Sequence, residues 1–154
     1  MVILLAMTVR PVAPDDAPSW LRMRCALWPD GSESEHADEI AQFFARRERA
    51  AWEVLVAERE AGHLAGMVEL AIRPFAEGCV TSKVAYLEGW FVVPAARRRG
   101  VGSALVLSAE AWGRAQGCTE FASDAEAGNA TSIAAHRALG FAETALIRCF
   151  RKKL

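Results

Sequence analysis

Between an apolar run that closes at Pro94 and the amphipathic stretch ALVLSAEAWGRAQG lies Arg97-Arg98-Arg99-Gly100-Val101-Gly102. A strand, a glycine-rich turn and a helix in that order commit the chain to an α/β layer, because a buried strand must hand over at once to a helix packed on its sheet. The same order gathers unpaired backbone N–H groups and the positive end of the helix dipole at one point. Glycine at 100 and 102 keeps Cβ atoms away from that point. Arg97, Arg98 and Arg99 add cationic arms suited to phosphate oxygens. Taken alone the turn reads either as a pyrophosphate cradle or as a solvated basic turn before an ordinary helix. It is neither GxxxxGK[ST] nor GxGxxG with an acid downstream, which sets aside the nucleoside-triphosphate and dinucleotide fingerprints.

Periodicity supplies the other elements. Thr8–Val12 reads as a short strand and Pro14–Trp28 as a helix broken by Trp28-Pro29-Asp30-Gly31. Ser32 with Glu35 forms a capping box for a second helix, which carries Ile40, Phe43 and Phe44 on one face and ends in RRERA. WEVLVAE and LAGMVELAI, joined through EAGH, predict a hairpin, and RPFAEGCVTSK a loop. Val84–Val93 is a strand, and a helix follows from about Ser103 to Gln116, stopped by Gly117. CTEFASD is a short strand; NATSIAAHRAL is a helix capped by Asn129 and closed by Gly140; Phe141–Lys152 is a last strand. The order β, α, α, β, β, β, α, β, α, β predicts a mixed sheet with helices on both faces, in one domain spanning 1–154.

Charge and cysteines narrow the partners. A formal net charge of -1 gives no bulk pull toward nucleic acid or anionic lipid, so neither is expected as a partner. Cys25, Cys79, Cys118 and Cys149 are widely spaced and form no CxxC pair, which argues against a metal site and for reduced thiols in a cytoplasm. MVILLAM is apolar but short and lacks a basic flank, so it does not read as a signal peptide, and Met7 is an alternative start. No run reaches membrane-spanning length.

VVPAARRRGVGSALVLSAEAWGRAQGC resembles the acetyl-CoA-binding motif of the GNAT N-acetyltransferase superfamily, with Arg97, Gly100 and Gly102 on its (R/Q)-x-x-G-x-(G/A) signature. NATSIAAHRALGF resembles the family's later helix. LRMRCALWPD, His36, YLEGWFV and CTEFASDAEAGNA together resemble the aminoglycoside 6'-N-acetyltransferases within it. The resemblance implies the GNAT fold, acetyl-CoA as co-substrate, no metal, a polycationic amine as acceptor, direct transfer in a ternary complex, and a homodimer. It also implies that Arg97, Arg98, Arg99, Gly100, Val101, Gly102 and Asn129 bind the cofactor, joined by the backbone of Trp90, Phe91, Val92 and Val93. Trp28, His36, Glu88 and Asp124 are placed in the aminoglycoside pocket, and Phe75 in the pocket of a neighbouring subunit. Two other functions remain open: transfer to a protein, peptide or polyamine amine, and a sensor that binds acyl-CoA without catalysis.

The carboxylates can be read on their own. An ionised side chain in an apolar strand costs several kcal/mol unless paired, so Glu88 and Glu69 each need an arginine or a solvated face. Strand alternation favours the solvated face for Glu69. Glu88 precedes Gly89, and an interior strand glycine marks a bulge or a close approach. Asp124 ends a strand where ligands gather in α/β proteins, or it caps the next turn. Glu88 and Asp124 are the candidates for holding the ammonium and taking its proton. Trp28 offers a ring face to an amino sugar or belongs to the core. Phe75 is a contact to another subunit or an anchor for its own loop. The acidic residues Asp30, Glu33, Glu35, Asp38 and Glu39 suit a helix start and also a polycation. Where many family members have a tyrosine as general acid, this chain has His136, either a proton donor or an ordinary helix histidine.

Overall fold

The computed structural model describes residues 7–46 and 52–154. The apolar leader at 1–6 and the RRERA stretch beyond Arg46 lie outside the described residues. Five strands form one sheet in the order β1 (Thr8–Pro11), β2 (Trp52–Glu60), β3 (His63–Arg73), β4 (Val84–Val92) and β5 (Phe121–Ser123). The first four are antiparallel neighbours, and β5 runs parallel to β4. The helices are α1 (Ala17–Leu27), α2 (Glu33–Ala45), α3 (Val101–Ala115) and α4 (Ala130–Ala138).

Alternation along the strands decides which helix covers which face. Val54, Val56 and Met67 point to one side and pack with Trp20, Met23, Ile40 and Phe43 of α1 and α2. Leu55, Val68, Leu70 and Leu87 point to the other and pack with Val101, Leu105, Val106 and Ala109 of α3. Each such side chain contributes about 1.5–3 kcal/mol by leaving water. The predicted helices on both faces of a mixed sheet are what forms.

Helix ends follow the local chemistry. Ser32 caps α2, with the Ser32 hydroxyl accepting from the Glu35 N–H at 3.2 Å and the Glu35 carboxylate accepting from the Ser32 N–H at 2.9 Å. Asn129 caps α4 by accepting from the Ser132 N–H at 3.0 Å. Gly117 and Gly140 stop α3 and α4 in the left-handed region, at φ 81° and 88°.

The expected last strand at Phe141–Lys152 does not form. Residues 141–154 have no strand pairing; Leu146 is 85% and Phe150 91% exposed. The tail leaves the sheet past Phe141 and crosses to the β3–β4 loop, where the Thr144 hydroxyl donates to the Glu77 carbonyl at 3.1 Å. The apolar content of the tail marks a face that needs covering, but a strand also needs a partner edge, and β5 is only three residues long.

Candidate active site

The site begins at the turn after β4. The N–H groups of residues 98–103 meet no hydrogen-bond acceptor among the described residues, whereas Ala104 already donates to the Gly100 carbonyl at 3.0 Å. Arg98 and Gly100 are both left-handed, at φ 59° and 81°. For a non-glycine residue that conformation costs on the order of 1–2 kcal/mol, and alternating hands of this kind cup successive N–H groups into an anion-binding nest. Arg97, Arg98 and Arg99 are exposed around it. Arg97 does not reach outward as a free arm: its Nε donates to the Val92 carbonyl at 2.9 Å, and its guanidinium lies 5.7 Å from the Phe91 ring centre.

The two glycines serve different ends. At Gly100 an added Cβ would meet nothing within 4 Å, so the demand there is conformational. At Gly102 an added Cβ would come 3.0 Å from the Trp90 ring. The second glycine therefore also makes room for an indole. Trp90 in turn has its indole N–H buried without a partner, an orphaned donor beside the anion nest.

Beyond the turn, β4 has an open edge. It pairs with β5 only through Ala85, Tyr86 and Leu87, and no strand flanks Glu88–Val92 on that side among the described residues. The expected bulge is present: β3 pairs Leu70 with Leu87 and Glu69 with Gly89, so Glu88 falls out of register. Bulges re-aim side chains beside functional sites. An open strand edge running from the nest accepts an extended, amide-bearing arm as it would another strand. Nest, orphaned indole N–H and open edge thus fit the diphosphate and pantetheine of coenzyme A. No group of His, Cys, Asp and Glu among the described residues could hold a metal ion.

At the bulge the structure joins Glu88 and Asp124 through two residues that sequence reasoning missed. Arg73 donates to both Glu88 oxygens at 2.7 and 2.6 Å, and its guanidinium lies 3.6 Å over the Tyr86 ring. The Tyr86 hydroxyl donates to Asp124 Oδ2 at 2.8 Å. Burial, reinforced by that bond to Asp124, pushes the Tyr86 phenol upward, so it stays a donor and Asp124 an acceptor. Tyr86 precedes Glu88 by two residues, a signal within reach; Arg73 lies 15 residues away and gave none.

His136 faces the same region from α4. Its Nδ1 lies 2.7 Å from the Ser132 carbonyl, which can only accept, so Nδ1 carries the proton. In the neutral ring Nε2 then accepts from the Ser123 hydroxyl at 2.9 Å, and the ring meets Trp90 edge-on at 5.4 Å. Ser123, at the end of β5, was not singled out by sequence. Asn129 is accounted for as the α4 cap, and Phe75 is exposed on the β3–β4 loop.

The opposite wall comes from α1 and the start of α2. Trp28 sits on Gly89, where an added Cβ would come 2.6 Å from the indole. His36 lies beneath it, 6% exposed, with Nε2 at 3.1 Å from the Trp28 carbonyl and Nδ1 at 3.4 Å from Arg24 Nε. Both ring nitrogens are engaged by the protein, so His36 braces the wall rather than presenting a free edge. Among the acidic residues here, Glu35 belongs to the capping box and Glu39 is paired with Arg24. Glu69 is not on a solvated face. It is 4% exposed, accepts from Arg24 Nη1 at 3.0 Å on both oxygens, and accepts from the Trp20 indole at 2.7 Å. Burial pushes its carboxyl upward against the attraction of Arg24.

Comparison with known proteins follows the same outline. The acetyltransferase (GNAT) family profile matches residues 17–141. The aminoglycoside N(6')-acetyltransferase type 1 of Klebsiella aerogenes is 55% identical over 146 residues, covering 95% of this chain and 96% of that protein. Its namesake from Acinetobacter baumannii is 40% identical over 149 residues, covering 96% and 99%. Among solved structures, AAC(6')-Iy in complex with the bisubstrate analogue CoA-S-monomethyl-acetylneamine superposes with a TM-score of 0.88 at 31% identity, covering 97% and 99% of the two chains.

Proposed function

The chain belongs to the GNAT acetyltransferase family, and from that premise we propose how its site works. It is an acetyl-CoA-dependent aminoglycoside 6'-N-acetyltransferase, an enzyme of antibiotic resistance. The observation that carries the reading is the open edge of β4, which runs from an anion nest at one end to Glu88, Tyr86 and Asp124 at the other. A phosphate-bearing donor and a cationic acceptor are thereby brought to one strand.

The nest at Arg97–Gly102 holds the diphosphate, and acetyl-CoA supplies the acyl group when bound. The N–H groups of β4 beyond Gly89 that face its open edge, alternating with those bonded to β3 such as Val93 N–H on the Ala65 carbonyl at 2.9 Å, orient the arm and polarise the carbonyl. Glu88 and Asp124 hold ammonium groups of the sugar and accept the proton that frees the attacking amine. Trp28 provides the ring platform. In its doubly protonated form His136, fixed by Ser132 at Nδ1, donates from Nε2 to the Ser123 oxygen as the Ser123 hydroxyl gives its own proton to the departing thiolate. Positioning and polarisation supply most of the rate.

A panel of amines decides the acceptor. With acetyl-CoA present, thiol release on tobramycin or kanamycin is expected to exceed that on spermidine or a peptide amine by at least about a hundredfold in kcat/KM, with the acetyl group on N6' by NMR. Equal rates across the panel overturn the aminoglycoside assignment, and coenzyme binding with no thiol release on any amine marks a sensor.

We also propose that the enzyme is a homodimer built through its C-terminal tail. Leu146, Ile147 and Phe150 are exposed, and Phe75 stands out on the loop that Thr144 contacts. The parent chain is expected to have twice the monomer mass by light scattering, and Phe150→Asp the monomer mass. A monomeric parent overturns the proposal. Free thiols and the use of acetyl-CoA support a cytoplasmic setting, and no helix among the described residues is long and apolar enough to cross a membrane.

A further inference from the structure

Glu69 and Arg24 are buried, charged and outside the chemistry described above. Glu69 pairs across β3–β4 with Gly89, at the bulge that re-aims Glu88. Arg24 comes from α1 and spends its whole guanidinium there: Nη1 on Glu69, Nη2 on Glu39, Nε toward His36, and its flat face 5.0 Å from the Trp28 ring centre. Trp28 is the C-cap of α1, where the backbone has already left the helix (φ -123°, ψ 72°). Two contacts fix the indole, the Arg24 guanidinium and the bare backbone of Gly89, while His36 on the Trp28 carbonyl holds the backbone beneath it.

We propose that the buried Arg24–Glu69 pair is a positioning device for acceptor binding, holding the Trp28 indole against Gly89 as the platform for the amino-sugar ring. The pair is an expensive way to fill a core, since well-packed apolar residues of the same volume are often as stable. A guanidinium held by Glu69 at Nη1, by Glu39 at Nη2 and by His36 at Nε, however, is fixed as no apolar side chain can be, and it lies over the Trp28 ring. Glu69 acts through Arg24, and Arg24 through Trp28; neither touches the reacting atoms. The inference rests on the acceptor site lying at Trp28, as proposed above.

A mutant cycle read in KM tests it. Glu69→Gln is expected to raise the KM for tobramycin at least about tenfold while the calorimetric Kd for acetyl-CoA stays within about twofold. In a Trp28→Ala background the same substitution is expected to change tobramycin KM by less than about twofold, because the platform it positions is already gone. Arg24→Lys keeps the charge and loses the fork, and it carries the same cycle should Glu69→Gln not fold. If these variants lower the melting temperature yet leave tobramycin KM at the parent value, or if their effects multiply with that of Trp28→Ala, the pair is merely structural and the inference is wrong. If Trp28→Ala alone leaves tobramycin KM unchanged, the placement of the acceptor site is at fault instead.

Discussion

Replacing Glu88 by Gln and Asp124 by Asn together is expected to lower turnover on tobramycin by about 10²- to 10⁴-fold, the usual span for removing positioned acid–base groups. The amides keep the shape and hydrogen-bonding reach of the carboxylates and lose the charge and the proton acceptor. Asp124 would still face the Tyr86 hydroxyl, which now donates to it at 2.8 Å. Glu88 would lose Arg73, but that pair is half exposed, at 40% and 31% for the two side chains, and exposed pairs contribute less than about 1 kcal/mol. The melting temperature should therefore hardly move, and the lost rate cannot be unfolding. Acetyl-CoA affinity should be unchanged, because the nest lies at the far end of β4. Arg73→Gln supplies the control: if it alone reproduces the loss seen with Glu88→Gln, the carboxylate serves to hold Arg73. If the double variant keeps the parent rate, neither group is the base.

How much of this was readable in the residues depended on whether the cause was local. The turn at Arg97–Gly102 was legible because glycine spacing, a preceding apolar strand and a following amphipathic helix all lie within one stretch. The bulge was legible for the same reason: Gly89 sits beside Glu88 in an otherwise apolar run. Glu69 was misread because alternation says which side of the strand a residue takes but not what waits there. Its partner Arg24 stands 45 residues earlier on a helix, and only the fold brings α1 over β3. The unpaired tail failed for the opposite reason. Leu146, Ile147 and Phe150 announce a face to be covered, yet nothing in a linear pattern says whether the covering edge belongs to the same chain. Gly102 carries a demand that no local pattern shows, since its missing side chain also makes room for Trp90, twelve residues back on β4.

Gly100 is where the cofactor assignment can be struck without touching any side chain. Gly100→Val adds atoms into open space, so it creates no clash, but it forces a β-branched residue to φ near 81° or makes the turn relax. Holding that conformation costs on the order of 1–3 kcal/mol. Relaxing it turns one or two N–H groups away from the anion, each charge-assisted bond being worth about 1.5–3 kcal/mol. Either way acetyl-CoA affinity by calorimetry is expected to fall about ten- to a hundredfold, at about 1.4 kcal/mol per decade. Gly117 provides the comparison, because it is also left-handed at φ 81° but follows the C-terminus of the same helix, roughly 22 Å along its axis. Gly117→Val should lower the melting temperature to a similar extent and leave acetyl-CoA affinity at the parent value. A Gly100→Val enzyme that binds the coenzyme as tightly as Gly117→Val would show that the diphosphate is held somewhere other than the nest.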